Sequence, residues 1–227
     1  MRALKAFWSW LFDQGYVEHN PLAKFPLPKV PKYIIKTLTI QQIKSLLQAL
    51  DKNTPIGARN YCILLLLIDN GMRISEALGI QMANLDLSKC RVKITGKGQR
   101  ERVVPFSTFS RKELLKYIKH HRPYLCKFDS PYLFPTGDGF HVSVNSIQQT
   151  IRRLADKAGL PCGQCHAHIF RHTFATMFLA KGGQDSILKD IMGHESIQTT
   201  QKYVHLQPED LQRQHWKYSP VGDLLGK

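Results

Sequence analysis

The sequence predicts an α+β domain, mostly α with one small antiparallel β-sheet built around a hairpin. Two observations carry this. Apolar residues recur at helical spacing through most of the chain, in blocks separated by glycine and proline. One stretch, residues 85 to 106, changes instead to a two-residue alternation and turns at a lysine between two glycines.

Taken in order, Leu4, Phe7, Trp8, Leu11 and Phe12 lie at helical spacing and predict an amphipathic helix over residues 1 to 14 that stops at Gly15. Pro21, Pro26, Pro28 and Pro31 exclude a helix interior and predict an extended linker over 21–37. One helix is not a domain, so residues 1 to 20 are expected to be the tail end of a larger one. The main domain is expected over 38–217. It opens at Thr39-Ile40-Gln41-Gln42, the spacing of a capping box ahead of Ile43, Leu46, Leu47 and Leu50. A second helix follows Pro55, runs through the apolar stretch Cys62 to Ile68 and ends at Gly71, where glycine suits a left-handed cap. Arg73 lies just past that cap. Val92 and Ile94 then alternate with Arg91, Lys93 and Thr95. Gly96-Lys97-Gly98 turns and Arg102-Val103-Val104 returns, with Leu85 to Leu87 as a short third strand. Further helices are predicted near 108–121, 143–158, 169–181, 184–192, 196–204 and 208–217, followed by a tail at 218–227.

A chain of 227 residues holds one well-buried domain with something small attached. Its 32 Lys+Arg against 17 Asp+Glu give a formal charge of +15, which attracts a polyanion and makes nucleic acid the leading partner. No apolar run approaches the ~18 residues of a membrane span. The N-terminus lacks a secretory signal, so a cytoplasmic protein is expected. Five scattered cysteines fit a reducing compartment. Cys162-Gly163-Gln164-Cys165-His166 matches the spacing of a haem attachment site and of half a zinc site, with His166, His168 and His172 as the nearest further ligands. The preferred reading is incidental reduced thiols; a haem or zinc protein is the rival, and a Cys162 to Cys165 disulfide beside the active site is a third reading.

Cleaving a phosphodiester without water or metal needs a nucleophile, positive hydrogen-bond donors for the non-bridging oxygens and an acid for the leaving oxygen. The planar fork of arginine suits two phosphate oxygens at once, and Arg73 and Arg171 are the candidates. The acidic residues show no clustered ligand set of the two-metal kind. Seen singly, each residue also has a plainer reading. Arg73 with Glu76 makes an ordinary i,i+3 pair, Lys97 a solvated turn lysine, His168 and His194 structural histidines, and Tyr203 a packed ring. His172, His205 and His215 are read as structural.

The ordered set is what carries information. Gly71-Met72-Arg73-Ile74-Ser75-Glu76-Ala77-Leu78, Thr95-Gly96-Lys97-Gly98, His168-Ile169-Phe170-Arg171-His172-Thr173-Phe174-Ala175-Thr176, and Met192-Gly193-His194 through Thr199-Thr200-Gln201-Lys202-Tyr203 resemble the catalytic domain of the tyrosine recombinase (phage integrase) family. Met192 and Phe170 stand where that family usually has leucine. The resemblance implies the family's catalytic-domain fold and a site-specific DNA recombinase working through a 3′-phosphotyrosyl intermediate, without metal, ATP or other cofactor, for integration or excision of a mobile element. It implies that Tyr203 attacks the phosphate, Arg73 and Arg171 clamp it, Lys97 protonates the leaving 5′-oxygen, His168 manages the tyrosine's proton and His194 bonds the phosphate. Glu76, one helical turn from Arg73, would orient its guanidinium. By the same resemblance, residues 1–20 are the last helix of a truncated core-binding domain. The partners are double-stranded DNA and three further copies of the chain, in a homotetramer. Residues 208–227 are either passed to a neighbour or, through Trp216, folded back on their own domain. A short DNA invertase of the family, a type IB topoisomerase and a DNA-binding protein that never cuts are the alternatives.

Overall fold

A computed structural model describes residues 1–26, 37–96, 101–126, 128–161, 165–193, 212 and 215–221. The chain divides into two compact units between residues 35 and 36. The first holds helix α1 (Arg2–Asp13), followed by Gly15 in a left-handed conformation at φ +75°. The ring of Phe7 stacks on Trp10, and Trp10 meets Tyr16. The Lys5 ammonium donates to the Phe25 carbonyl at 2.6 Å.

The second unit is helical around a small sheet. Helix α2 (Ile40–Gln48) starts with the expected capping box: Thr39 Oγ1 accepts from the Gln42 N–H at 3.2 Å, and Gln42 Oε1 accepts from the Thr39 N–H at 2.9 Å. Helix α3 (Pro55–Asn70) begins on a Thr54 cap with proline in its first turn, where the missing N–H costs nothing. Every residue from Gly57 to Asn70 is buried. A helix covered on all sides is the axis of a core, and α5 (Thr108–His120) and α7 (Ala167–Ala180) pack against it. Helix α4 (Ile74–Leu78) is a single short element that periodicity does not reveal, because five residues are too few to show a 3.6-residue period. Helix α6 (Val144–Lys157) buries Ile147, Ile151, Leu154 and Ala155 along one face. Helix α8 (Asp185–Met192) ends at Gly193 with φ +65°. The helix expected at 196–204 lies outside the described residues, as does most of that expected at 208–217.

Strands β1 (Leu85–Asp86), β2 (Arg91–Thr95) and β3 (Glu101–Pro105) form one antiparallel sheet in chain order. In its register Val92 faces Val104 and Ile94 faces Arg102. Residues directly opposite in an antiparallel pair point to the same face, so Arg102 sits on the face that buries Val92, Ile94 and Val104. Strand β3 packs against α8.

The C-terminal turn at 215–218 is docked onto this same unit. Trp216 Nε1 donates to the Phe106 carbonyl at 3.2 Å, and His215 Nε2 lies 2.6 Å from the Asp69 carbonyl oxygen. His215, Ser219 and Val221 are buried. The Asp69 carboxylate, fully buried near the end of α3, accepts from the Ser107 N–H and the Ser110 hydroxyl at 2.6 Å each, and from the Ser219 hydroxyl at 2.5 Å. Thus Asp69 fixes the start of α5 and the C-terminal turn together. Among the described residues no helix is long and apolar enough to cross a membrane.

Removing this carboxylate leaves the Ser107 amide and the Ser110 hydroxyl without their acceptor, and the Ser219 hydroxyl with only the Asp69 carbonyl at 3.2 Å. Asp69→Ala is expected to lower unfolding free energy by about 3 kcal/mol, and Asp69→Asn by less because one acceptor remains. Urea denaturation checks both; equal losses in the two variants would contradict this account.

Candidate active site

Three arginines and one carboxylate meet where α4, β3, α7 and α8 come together. Their placement begins with two glycines. Gly71 closes α3 with φ +63°, and a β-carbon there would fall 2.6 Å from the Phe174 ring. The turn it makes sends Arg73 out as the residue capping α4. Glu76, in the first turn of α4, accepts from the Arg73 N–H at 2.8 Å and from its guanidinium Nη1 at 3.0 Å. The i,i+3 spacing therefore brings the two side chains together, but as an end cap rather than a surface pair, with only 4% of the Glu76 side chain exposed.

Arg102 reaches the same carboxylate from β3. Its Nη1 and Nη2 donate to Glu76 Oε1 and Oε2 at 2.9 and 2.8 Å, a two-pronged pair, and its Nε donates to the Ile191 carbonyl at 3.1 Å. This residue is absent from the sequence-derived site. Its signal is the alternation of β3: Arg102 and Val104 share the buried face, and a charge on such a face requires a buried partner.

Arg171, on α7, is buried. Its Nη1 donates to the Gly71 carbonyl at 2.7 Å and its Nη2 to the Met192 carbonyl at 2.9 Å. The guanidinium of Arg73 approaches the Gly193 carbonyl at 3.4 to 3.5 Å. So the carbonyls of Ile191, Met192 and Gly193, in the last turn and cap of α8, face Arg102, Arg171 and Arg73 in turn. Helix C-terminal carbonyls lack partners within the helix and carry the negative end of its dipole, which suits them to hold cations.

The electrostatics follow from this crowding. Burial pushes the Arg171 pKa down to about 10, with Arg73 and Arg102 adding to the effect and Glu76 opposing it, so Arg171 remains charged at neutral pH. Burial alone would raise the Glu76 carboxyl, but the hydrogen bonds from Arg102 and Arg73 outweigh it and hold that carboxyl below its usual range. His172, on α7, is lowered by burial and then by His168, His166 and Arg171, which marks the start of this helix as electropositive.

Of the other residues singled out, His168 is exposed on α7, three positions before Arg171. Lys97, His194 and Tyr203 lie outside the described residues. Lys97 belongs to the connection between β2 and β3, and His194 directly follows Gly193. Beside Glu76 an open groove is lined by Ser75, Gln81, Asn84, Lys93, Tyr132 and His141, all able to hydrogen-bond. Cys165 is a buried free thiol whose pKa burial raises to about 11. Among the described residues no group of three or more His, Cys, Asp and Glu side chains is placed to hold a metal; Cys162 is outside them.

A family model described as the phage integrase family matches residues 36–210. Over 220 residues the chain is 31% identical to tyrosine recombinase XerC of Oceanobacillus iheyensis, covering 96% of this chain and 72% of that protein. Among solved structures it is similar to XerH site-specific recombinase bound to a palindromic difH substrate, with a TM-score of 0.73 and 22% identity over 86% of this chain and 59% of the other. It is also similar to the integrase from mycobacterium phage Brujita, with a TM-score of 0.65 and 24% identity over 96% of this chain and 70% of the other.

A carboxyl held low in the folded chain contributes stability that is fully present above its ordinary value of 4.5 and is lost as pH falls through its lowered value. Glu76→Gln is therefore expected to be less stable than wild type at neutral pH, with the difference shrinking below pH 4.5. Denaturant melts at stepped pH measure this, and a difference that stays constant through the acid range would rule it out.

Proposed function

Because the chain belongs to the phage integrase family, we propose that it is a site-specific tyrosine recombinase that cuts and rejoins double-stranded DNA through Tyr203. One observation carries the reading most directly: Arg73 and Arg171 converge on the end of α8 with their orientation fixed by Glu76 and main-chain carbonyls. Arg171 uses two of its five N–H groups there, and 36% of the Arg73 side chain is exposed, so donors remain for the oxygens of a phosphate.

In this reading the Tyr203 hydroxyl oxygen attacks phosphorus and forms a phosphotyrosyl ester as the bond to the 5′-oxygen breaks. The tyrosine proton passes to His168, and the leaving oxygen takes a proton from Lys97. Arg73, Arg171 and His194 donate to the non-bridging oxygens, where negative charge builds. The new ester keeps the energy of the broken bond, so the free 5′-hydroxyl of the same or another strand reverses the step without ATP. No step calls on a cofactor.

The +15 charge draws DNA to the surface. Fixed donors also cost little reorganisation at the moment of reaction, which is where preorganised sites gain most. We place the reaction in the integration or excision of a mobile element, in the cytoplasm, with four copies of the chain assembled on paired DNA sites. The match to the phage integrase family supports the first part. The docked turn at 215–218 is then the resting position of the C-terminal segment, before any exchange between copies.

Wild-type protein incubated with nicked duplexes from the ends of its own genetic element is expected to give a denaturant-resistant protein–DNA adduct, and Tyr203→Phe to bind the same DNA without forming one. Binding with no adduct in either protein would favour a non-cleaving DNA-binding protein. Arg73→Lys keeps the charge but loses the planar fork, so single-turnover cleavage is expected to fall about 100-fold with binding nearly unchanged. An unchanged rate would remove Arg73 from the clamp.

A further inference from the structure

Resting on the reading of the chain as a recombinase, we propose that Arg102 is a positioning residue for strand cleavage: it ties the root of the β2–β3 hairpin to Glu76 and to the end of α8, and so sets the hairpin's proton donor relative to the arginine clamp.

The geometry separates this role from that of a third clamp arginine. All three guanidinium nitrogens of Arg102 are engaged, two on Glu76 and one on the Ile191 carbonyl, and only 15% of its side chain is exposed. Two of its five N–H groups remain, one fewer than on Arg171, and both sit on nitrogens already held against Glu76. What it does instead is join three supports. Through the shared carboxylate it is linked to Arg73, which takes the remaining Glu76 hydrogen bonds. Through Ile191 it is fixed to the last turn of α8, and its guanidinium packs so closely against the helix cap that a β-carbon on Gly193 would fall 2.7 Å from it. Through its own backbone it stands on β3 opposite Ile94, next to the connection that carries Lys97.

Simple neutralisation of Glu76 does not account for this. Arg73 already supplies a cation at 3.0 Å, and the bond from Arg102 Nε to Ile191 adds nothing to the charge balance of that carboxylate. Holding the hairpin does account for it. A lysine that protonates a leaving oxygen must arrive within about 3 Å of it, and a misplacement near 1 Å costs on the order of 100-fold in rate. Lys97 falls in the sequence between β2 and β3, and Arg102 attaches β3 by hydrogen bonds to Glu76 and to the end of α8.

The test uses two DNA duplexes that differ in one atom, oxygen or sulfur bridging the scissile phosphate to the 5′-carbon. A thiolate leaves without a proton, so sulfur removes the need for the donor. Arg102→Ala is expected to cleave the oxygen duplex about 10- to 100-fold more slowly than wild type, a range typical of losing an orienting partner. On the sulfur duplex it is expected to come within about threefold of wild type, because that substrate needs no general acid. Lys97→Ala should show the same pattern, whereas Arg73→Ala should be slow on both. Arg102→Lys, with one point donor in place of a fork, should behave nearly as the alanine variant does. Arg102→Gln serves where the alanine variant does not fold, judged by thermal melting. A loss equal on both duplexes, or no loss, overturns the proposal. Wild type that cleaves neither duplex overturns the recombinase reading, and this one with it.

Discussion

Three guanidinium groups cannot share one corner of a protein unless negative potential is built among them, and the placement of α4, β3, α7 and α8 in the larger unit can be traced to how that is done. Two like charges about 4 Å apart near a protein surface repel by about 4 kcal/mol. Glu76 offsets this for Arg73 and Arg102 at once, and the last carbonyls of α8 do so for all three arginines. The carboxylate has to be buried to act on both sides, and it has to be ionised to act at all. Its lowered pKa is the signature of that arrangement. The short α4, the inward arginine of β3 and the left-handed end of α8 are each awkward features taken alone. They make sense as the parts that bring these charges to one point.

The C-terminal end of α3 does comparable work a few residues earlier. Asp69, Asn70 and Gly71 are consecutive, yet Asp69 collects the start of α5 and the C-terminal turn, while the Gly71 carbonyl receives Arg171. The docking of residues 215–221 and the seating of a clamp arginine thus depend on the same last turn of one fully buried helix. A disturbance at either place has a short covalent path to the other.

Much of this was legible before any coordinates. The capping box at Thr39, the glycine that closes α3, the existence of the β2–β3 hairpin and helices α5 to α8 all follow from local rules, because each is decided by neighbours within a few residues. The pairing of Arg73 with Glu76 is local too, at i,i+3. Arg102 escaped notice because its partners are distant: Glu76 lies 26 residues away and Ile191 lies 89. Only the strand's inner and outer faces hint that an arginine there is not a surface residue. The docked turn at 215–218 was undecidable from sequence for a similar reason, since Trp216 is equally suited to its own domain or to another copy, and only the positions of the Phe106 and Asp69 carbonyls show what it meets in this chain. The roles of Lys97, His194 and Tyr203 rest on the family motifs.

The arginines at the end of α8 are held by main-chain carbonyls, and this has an evolutionary consequence. A carbonyl belongs to whichever amino acid occupies the position, so the identities at 191 and 192 are free to drift among apolar residues that fill the core without disturbing the hydrogen bonds beneath the arginines. Lineages can therefore exchange isoleucine, leucine and methionine at this helix end while the charge arrangement is inherited intact. Positions 71 and 193 have less latitude, since both hold a positive φ that other side chains rarely adopt, and a β-carbon at 71 would also meet the Phe174 ring. The arrangement is stored in the path of the backbone, and two glycines are what keep that path open.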